Sequence, residues 1–235
     1  MPNTETSAPA LEIENVRFAY GGSNSFEIVI PSLRLEPGEH VLLTGGSGTG
    51  KSTVLQIVAG LVDPQAGSVR VAGSRIHSLH GPARDRFRGS HIGMIFQTFN
   101  LLQGFSALEN VLAALMFSAV PRSEHRERAS ALLATLGIQR PDSPAELLSV
   151  GQQQRVAVAR AVACRPTLVL ADEPTASLDP ENAAGAIELI QHTCRESGAA
   201  LLCTSHDPAM RARFGRVESL DQLRAGVQVG AGAGA

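Results

Sequence analysis

The chain has 235 residues and a formal net charge of -2, with 18% charged and 43% hydrophobic residues. This length is sufficient for one α/β domain with a sizeable core, or for a core domain that carries a small accessory lobe. The charge balance excludes a nucleic-acid-binding polycation and a disordered acidic chain. We therefore expect one globular catalytic unit that does not bind nucleic acid.

The sequence offers neither a membrane-spanning stretch nor an export signal. Its most apolar run, residues 111–120, is about half as long as a membrane helix needs to be. Residues 1–10 lack the basic start and apolar core of a secretory signal, and we expect them to be disordered. Cys164, Cys194 and Cys203 form no C-x-x-C pair, which argues against a metal site and a disulfide framework. We expect a cytosolic protein.

Residues 11–20 and 26–35 show the alternation of apolar and polar residues that is typical of β-strands. The alternation in the first segment slips near Asn15, and Gly21 and Gly22 supply a turn between the two segments. We therefore predict an antiparallel sheet at the N-terminus.

A glycine-rich loop follows the next apolar run. Residues 41–43 predict a short buried strand, and residues 52–59, ended by Gly60, show a helical pattern. Between them, the sequence G-G-S-G-T-G-K-S fits the pattern G-x-x-x-x-G-K-[ST] of a phosphate-binding loop (P-loop), which requires this strand-loop-helix context. We expect a nucleotide to be held by consecutive residues, namely Gly45, Gly46, Ser47, Gly48, Thr49, Gly50, Lys51, Ser52 and Thr53.

The chemistry of a triphosphate explains the composition of this loop. Phosphate oxygens need several converging donors, and a glycine-rich turn lets backbone N–H groups approach them closely at the positive end of a helix. Lys51 is then placed to reach the β- and γ-phosphates, and the Ser52 hydroxyl suits Mg2+. The loop predicts the binding and hydrolysis of Mg·ATP.

Three further apolar runs, residues 92–96, 168–171 and 199–204, predict buried strands that each end at polar residues. Functional residues immediately after strand ends are typical of an open parallel α/β sheet, where they line one crevice. The second run leads into Asp172 and Glu173, so that one carboxylate can hold hydrated magnesium while the next orients the attacking water. We assign Asp172 to the metal and Glu173 to the water.

Residues 100–148 show helical patterns without a strand signal. Ser106 and Glu109 form a capping box that begins one helix, and a second helix over about residues 124–136 ends at Gly137. Residues 226–235 are nearly all small and predict a flexible tail. We therefore predict a helical lobe at residues 100–148, followed by a return to the core.

A second capping box, formed by Ser149 and Gln152, begins a helix that is predicted to run to about Cys164. Its N-terminus is an exposed anion site in addition to the P-loop. The surrounding stretch L-S-V-G-Q-Q-Q-R, residues 148–155, resembles the signature of ATP-binding cassette (ABC) ATPases, whose pattern is L-S-G-G-Q. The similarity to the nucleotide-binding subunit of an ABC transporter covers about residues 11–220, with the motifs in the family's order.

The resemblance implies an α/β fold with three parts. These are a P-loop NTPase core with a mostly parallel sheet, an N-terminal antiparallel β subdomain and an inserted α-helical subdomain. Placed on this sequence, residues 11–99 and 149–225 form the ATP-binding core with its β subdomain, and residues 100–148 form the α-helical subdomain.

The resemblance also assigns roles to residues outside the P-loop. Tyr20, the only tyrosine, matches the aromatic residue that stacks on adenine. Gln97, in the sequence I-F-Q-T-F, matches the glutamine that contacts magnesium and links the core to the helical subdomain. His206 matches the histidine that senses the γ-phosphate, and Asp179, in the sequence S-L-D, lies in the family's dimer-contact loop.

In this family two subunits enclose two ATP molecules, each between one P-loop and the other subunit's signature helix. Ser149, Gly151 and Gln152 are then expected to complete the partner's site in a head-to-tail twofold pair. The resemblance thus implies ATP-dependent dimerisation, as a homodimer or as a heterodimer with a related cassette. It also implies a transmembrane permease subunit, through which the chain contacts the inner face of the cell membrane.

The stretch F-R-G-S-H-I-G-M-I-F-Q-T-F-N-L-L, which begins at Phe87, resembles the group that serves lipoprotein release, macrolide efflux and peptide-antibiotic resistance. Export or extraction is therefore expected rather than solute import. Two alternatives stay open: the ATPase of an FtsE-like division complex, and a module that dimerises on ATP without transport. A soluble ABC protein of DNA repair or translation usually has coiled-coil insertions or tandem cassettes, and this sequence has neither.

Two positions depart from the family's pattern. Val150 stands where the signature usually has glycine, and Gly46 stands where the P-loop usually has proline. Val150 keeps its backbone N–H, but its β-branched side chain is expected to crowd the partner's nucleotide. We predict weakened rather than abolished turnover. Residues 216–220 are also shorter than the family's usual closing strands.

Overall fold

The computed structural model describes residues 8–21 and 27–225. In this part of the chain the strands are β1 (Leu11–Ala19), β2 (Glu27–Leu35), β3 (His40–Thr44), β4 (Ala66–Val71), β5 (Ser74–Arg75), β6 (Ile92–Ile95), β7 (Leu168–Asp172), β8 (Ala200–Ser205) and β9 (Arg216–Ser219). The α-helices are α1 (Lys51–Val58), α2 (Pro82–His91), α3 (Ala107–Leu115), α4 (His125–Thr135), α5 (Val150–Val162), α6 (Pro180–Ser197) and α7 (Leu220–Ala225).

The N-terminal strands form an antiparallel sheet in the order β2-β1-β4-β5. The predicted slip in β1 is a bulge: the register with β4 shifts between Glu14 and Arg17, and Asn15 has φ 49°. A side chain on Gly67 of β4 would lie 2.3 Å from the Asn15 carbonyl oxygen, so the bulge requires glycine there. Sequence analysis therefore found this sheet but missed β4 and β5. Part of the predicted turn, Gly22, lies outside the described residues.

The second sheet is parallel, in the order β6-β7-β8-β3-β9. Its register pairs Asp172 with Thr204 and Thr44 with Ser205, so β7, β8 and β3 end side by side. The loops that follow these strands therefore start at one edge of the sheet, as expected for an open α/β sheet. This arrangement confirms the predicted fold class of a mostly parallel core with an N-terminal antiparallel sheet.

The side chains on the two faces of the parallel sheet pack in two separate hydrophobic clusters. Leu43 of β3 faces one cluster with α1 and the antiparallel sheet, whereas Leu42 faces a second cluster with α3, α4, α5 and α6. Both leucines are fully buried. The parallel sheet is thus covered on both faces, which explains why its strands read as continuous apolar runs.

Helices α3 and α4 begin and end close to the predicted positions. Ser106 caps α3, accepting from the Glu109 N–H while Glu109 accepts from the Ser106 N–H, and Gly137 has φ 74° just after α4. Both helices pack on α5, and none of the helices in the described part of the chain is long and apolar enough to cross a membrane. The boundaries 100–148 of the α-helical subdomain stay a prediction.

The two termini that we expected to be disordered lie largely outside the described residues, which leave out 1–7 and 226–235. Ala10 is an exception within the first segment. It is fully buried, and its carbonyl accepts a hydrogen bond of 3.2 Å from the Ala72 N–H. The antiparallel sheet therefore packs on at least one residue before β1.

Gly93 of β6 gives a direct test of how closely the helical layer packs on the parallel sheet. A Cβ at this position would lie 2.2 Å from the Ala161 carbonyl oxygen in α5. Gly93→Ala is expected to destabilise the protein by about 2–3 kcal/mol, because backbone atoms must move apart. Gly185→Ala in α6 is the matched control: its Cβ meets no atom within 4 Å, so helix propensity should stabilise the protein by about 1 kcal/mol. Denaturant unfolding measures both; equal stabilities would contradict the close packing.

Candidate functional site

The P-loop connects the end of β3 to the start of α1. Gly50, the N-cap of α1, has φ 95°, a conformation that L side chains rarely adopt. A Cβ on Gly45 would lie 2.7 Å from the Thr49 hydroxyl, whereas one on Gly46 would lie 3.4 Å from the Thr49 methyl carbon. The backbone at position 50 therefore favours glycine, and a side chain at position 45 would require the Thr49 hydroxyl to move, while position 46, where the family usually has proline, leaves room for a side chain.

Lys51 lies under the loop and is only 5% exposed. Its Nζ donates to the carbonyl oxygens of Gly45 and Gly46, both at 3.0 Å, and lies 3.2 Å from Oε1 of Glu173. A buried ammonium group held on oxygen atoms can exchange these acceptors for phosphate oxygens without losing its hydrogen bonds. The predicted phosphate-binding lysine is therefore beside the predicted water-orienting carboxylate.

Ser52 and Asp172 meet at the edge of the parallel sheet. The Ser52 hydroxyl donates to Oδ1 of Asp172 at 3.0 Å, and the buried Thr204 hydroxyl donates to the same oxygen at 2.8 Å. A hydroxyl and a carboxylate are hard oxygen ligands that fit Mg2+. The described residues contain no group of three or more His, Cys, Asp or Glu side chains that could hold a metal ion. This pair therefore fits a magnesium site that phosphate oxygens complete, rather than a site built only from protein ligands.

Glu173 connects Lys51 to His206. Its second carboxylate oxygen, Oε2, lies 2.6 Å from Nδ1 of His206. The Glu173 backbone has φ 43°, which is uncommon for a residue other than glycine, and its N–H donates to the Thr204 hydroxyl at 3.1 Å. The Glu173 side chain is 17% exposed and that of His206 is 56% exposed. The carboxylate is thus oriented from both sides at the mouth of the P-loop.

Thr204 is a residue of the site that sequence analysis did not single out. It is the penultimate residue of β8 and is fully buried. Its hydroxyl contacts both Asp172 and the Glu173 N–H. The sequence did contain a signal for Thr204. It lies near the end of an apolar strand, and a hydroxyl that is buried there needs a hydrogen-bond partner.

Tyr20 lies beside the P-loop helix. Its hydroxyl is 3.0 Å from the Thr53 hydroxyl in α1, and its ring packs edge-on against Phe18 with the centroids 4.9 Å apart. The side chain is nevertheless 48% exposed. The structure therefore places an aromatic ring with a free surface close to the start of α1, where an adenine can stack on it.

Gln97 and the loop before α6 are in contact. Gln97 is exposed in the turn after β6, and its carbonyl accepts a hydrogen bond of 3.2 Å from the Ser177 hydroxyl. Asp179 caps α6 by accepting from the Asn182 N–H at 3.0 Å. None of the side-chain hydrogen bonds found in the described chain joins Gln97 to the Ser52–Asp172 pair. The structure therefore brings Gln97 to the neighbouring loop, and its role toward magnesium stays a prediction.

The signature segment lies apart from the P-loop. Ser149 caps α5 with reciprocal hydrogen bonds to Gln152, of 3.3 and 3.0 Å. Val150 is 52% exposed, and a Cβ on Gly151 would meet no atom within 4 Å. No hydrogen bond found among the described residues joins this segment to residues 45–52. The N-terminus of α5 is thus exposed at the surface of the described chain.

A glycine-rich loop with a buried lysine, next to an aspartate and a glutamate at the carboxyl edge of a parallel sheet, defines a P-loop nucleoside triphosphatase. A family model described as "ABC transporter" matches residues 30–176. The chain therefore belongs to the ABC transporter family, and it is an ATP-binding and ATP-hydrolysing subunit of that family.

The relatives agree with this assignment over most of the chain. The lipoprotein-releasing system ATP-binding protein LolD 1 of Caulobacter vibrioides is 44% identical over 195 residues, which is 82% of this chain and 83% of that protein. LolD of Paramagnetospirillum magneticum is 39% identical over 215 residues, 90% of this chain and 95% of that protein. Among solved structures, a dimeric post-hydrolysis state of the ATP-binding cassette MJ0796, bound to ADP and Pi, is 32% identical with a TM-score of 0.75, covering 89% of this chain and 93% of the other.

Proposed function

We propose that this chain is the ATPase subunit of an export-type ABC transporter that extracts lipoproteins from the membrane with a permease partner. The observation that carries the proposal is the arrangement of Lys51, Glu173 and His206 at one P-loop, combined with a capped and exposed N-terminus of α5. The three side chains at the P-loop supply the chemistry of hydrolysis. The N-terminus of α5 supplies a surface for another subunit. The names of the relatives support the cargo class.

In the proposed hydrolysis, each side chain has one task. The backbone N–H groups of the P-loop and Lys51 bind the β- and γ-phosphates, and Tyr20 stacks on adenine. Ser52, Asp172 and Gln97 hold Mg2+, which when bound neutralises charge on the phosphate oxygens. Glu173 then orients water for attack on the γ-phosphorus and accepts its proton.

His206 orients Glu173 in this scheme. The contact of 2.6 Å between the two side chains fixes one carboxylate oxygen while the other lies near Lys51. Because His206 is more than half exposed, it can also donate to the γ-phosphate when nucleotide enters. The histidine thus connects the γ-phosphate to the group that activates water.

A second subunit is proposed to complete each nucleotide site. The 13-residue helix α5 has a capped N-terminus whose Gly151 backbone is open to solvent. Such a helix end favours an anion, and a twofold pair places it on the partner's γ-phosphate through Ser149, Gly151 and Gln152. Asp179, at the start of α6, then lies in the dimer contact. The pair is a homodimer or a heterodimer with a related cassette.

The permease is proposed to bind the exposed apolar side chains of the predicted helical subdomain. Leu102, Phe105, Met116 and Phe117 are between 42% and 68% exposed. Phe117 also lines a cavity of about 480 Å³ between α2, α3, α5 and β6. Leu102 and Phe105 precede α3 and Met116 and Phe117 follow it, and exposed apolar side chains at both ends of one helix support a protein-protein contact there. The chain would then act at the inner face of the cell membrane through its partner.

Affinity purification from membranes tests this proposal. Glu173→Gln with ATP should hold the closed dimer, and a transmembrane subunit is expected to be recovered with it. Released lipoproteins should depend on that complex and on ATP. Recovery of the dimer without any membrane subunit would contradict a transport role and favour an ATP-dependent dimerising module. Recovery of a division-complex membrane protein would favour the FtsE-like alternative.

A second test concerns Val150, which stands where the signature usually has glycine. If its side chain crowds the partner's phosphate, Val150→Gly should raise the ATPase rate about fivefold, which corresponds to relief of about 1 kcal/mol in the transition state. Val150→Ala removes the branched methyl groups but keeps Cβ, so its ATPase rate should lie between those of the wild type and Val150→Gly. Steady-state ATPase rates measure this series. No change in rate or in ATP-driven dimerisation would contradict crowding at this position.

A further inference from the structure

Arg160 of α5 donates hydrogen bonds to the loop that follows Gln97. Its two terminal nitrogens donate to consecutive carbonyl oxygens, one at 2.7 Å to Phe99 and one at 2.6 Å to Asn100. This is a bidentate contact that a planar guanidinium makes with fixed geometry. The helix that begins at the signature is therefore tied directly to the segment after β6.

The loop that accepts these hydrogen bonds from Arg160 has an unfavourable backbone conformation. Phe99 has φ 60° and Asn100 has φ 46°, and the Asn100 N–H donates to the Thr98 carbonyl at 2.7 Å across Phe99. A positive φ is uncommon for a bulky residue, and a turn closed over such a residue is strained. Strain of this kind persists only where the surrounding structure imposes it.

The charge of Arg160 is satisfied by these carbonyls rather than by an acid. The partners of Arg160 in the described part of the chain are backbone carbonyls and not carboxylates, and burial lowers the pKa of its guanidinium. Removing a half-buried cation from water without a carboxylate partner is unfavourable. Van der Waals packing of α5 alone does not require it, because the neighbouring buried positions of this helix are valine and alanine.

We propose that Arg160 is a positioning residue: it holds the strained turn at Phe99 and Asn100 and thereby fixes Gln97 at the catalytic edge. The Gln97 carbonyl is held from the other side by Ser177. The loop is thus fixed at both ends, once by α5 and once by the segment before α6. The proposal rests on the proposed role of Gln97 toward Mg2+.

The test is the Mg2+ concentration that gives half-maximal ATPase activity. Arg160→Lys keeps the charge, but its single ammonium nitrogen lacks the planar fork of two nitrogens that fixes the geometry of the double contact. It is expected to raise this concentration about tenfold and to lower kcat about tenfold, because a misplaced ligand weakens a preorganised site. The affinity for ATP without magnesium should stay within about twofold, since the hydrogen bonds of Arg160 go to the loop after Gln97 and not to the phosphate-binding residues. Arg160→Gln, which removes the buried charge, provides a second variant if Arg160→Lys does not fold.

Two controls separate the possible outcomes. Arg128 of α4 also donates to a backbone carbonyl, that of Ala163, so Arg128→Lys should affect stability but not the Mg2+ dependence. Gln97→Ala should show the same Mg2+ shift as Arg160→Lys. If Gln97→Ala shifts the dependence and both Arg160 variants do not, the positioning role is overturned while the proposed site stands. If Gln97→Ala has no effect, the proposed role of Gln97 fails and the positioning role fails with it.

Discussion

Glu173→Gln is expected to lower the ATPase rate by about 10²–10⁴-fold, the range that a general base contributes. The amide keeps the size of the side chain and its contacts with Lys51 and His206, but it cannot accept a proton from water. ATP affinity should be retained or increased. Single-turnover hydrolysis and nucleotide binding, measured on the same preparation, separate chemistry from binding.

Glu196→Gln is the matched control for this substitution. Glu196 is exposed near the end of α6, away from the loops that follow β3, β7 and β8. Its substitution should leave the rate within about twofold, as for most surface changes. A Glu173→Gln variant with more than a tenth of the normal rate would show that another group orients the water.

Gly151→Asp is expected to lower the ATPase rate by about 100-fold or more without harming the fold. A Cβ at this position meets no atom within 4 Å, and an acidic residue in the first turn of a helix is favourable by about 0.3–1 kcal/mol. The same carboxylate would face the partner's γ-phosphate, where like charges cost several kcal/mol. Stability should therefore rise slightly while activity is lost.

Gly215→Asp is the control for the added charge. Gly215 is exposed, and a Cβ there also meets no atom within 4 Å. It precedes β9, whose Arg216 pairs with Val41 near the start of β3, so it lies at the opposite edge of the sheet. This variant should hydrolyse ATP at the normal rate. Equal rates for Gly151→Asp and wild type would show that the start of α5 does not face a nucleotide.

Local sequence patterns were sufficient to predict much of the fold and of the site. The P-loop, the two capping boxes at Ser106 and Ser149, and the acidic end of β7 are each encoded within a few neighbouring residues. The structure places Lys51, Ser52, Asp172, Glu173 and His206 together because the parallel register aligns the strand ends. Hydrophobic periodicity and cap chemistry act over short distances, so a single sequence reveals them.

The remaining features depend on contacts between distant segments. The positive φ of Glu173 and the double contact of Arg160 with Phe99 and Asn100 arise only when strands and helices are assembled. Strand β5 was missed because it is short and polar and lacks the alternation that marks a strand. Strand β4 has Val69 and Val71 at alternating positions, but it begins with Ala66 and Gly67, which are uncommon in strands. The sequence does contain one sign of the role of Arg160, because it is the one charged residue in an otherwise apolar run of α5.

The central claim is that each nucleotide site is built from two chains. The most direct measurement is the ATPase rate of an equal mixture of Lys51→Ala and Gly151→Asp chains. Each variant alone should be nearly inactive. In the mixture about half of the dimers contain one chain of each kind, and every such dimer has one site that pairs an intact P-loop with an intact signature segment. The account predicts that mixing restores about a quarter of the wild-type rate. A mixture no more active than the two variants measured separately would contradict it.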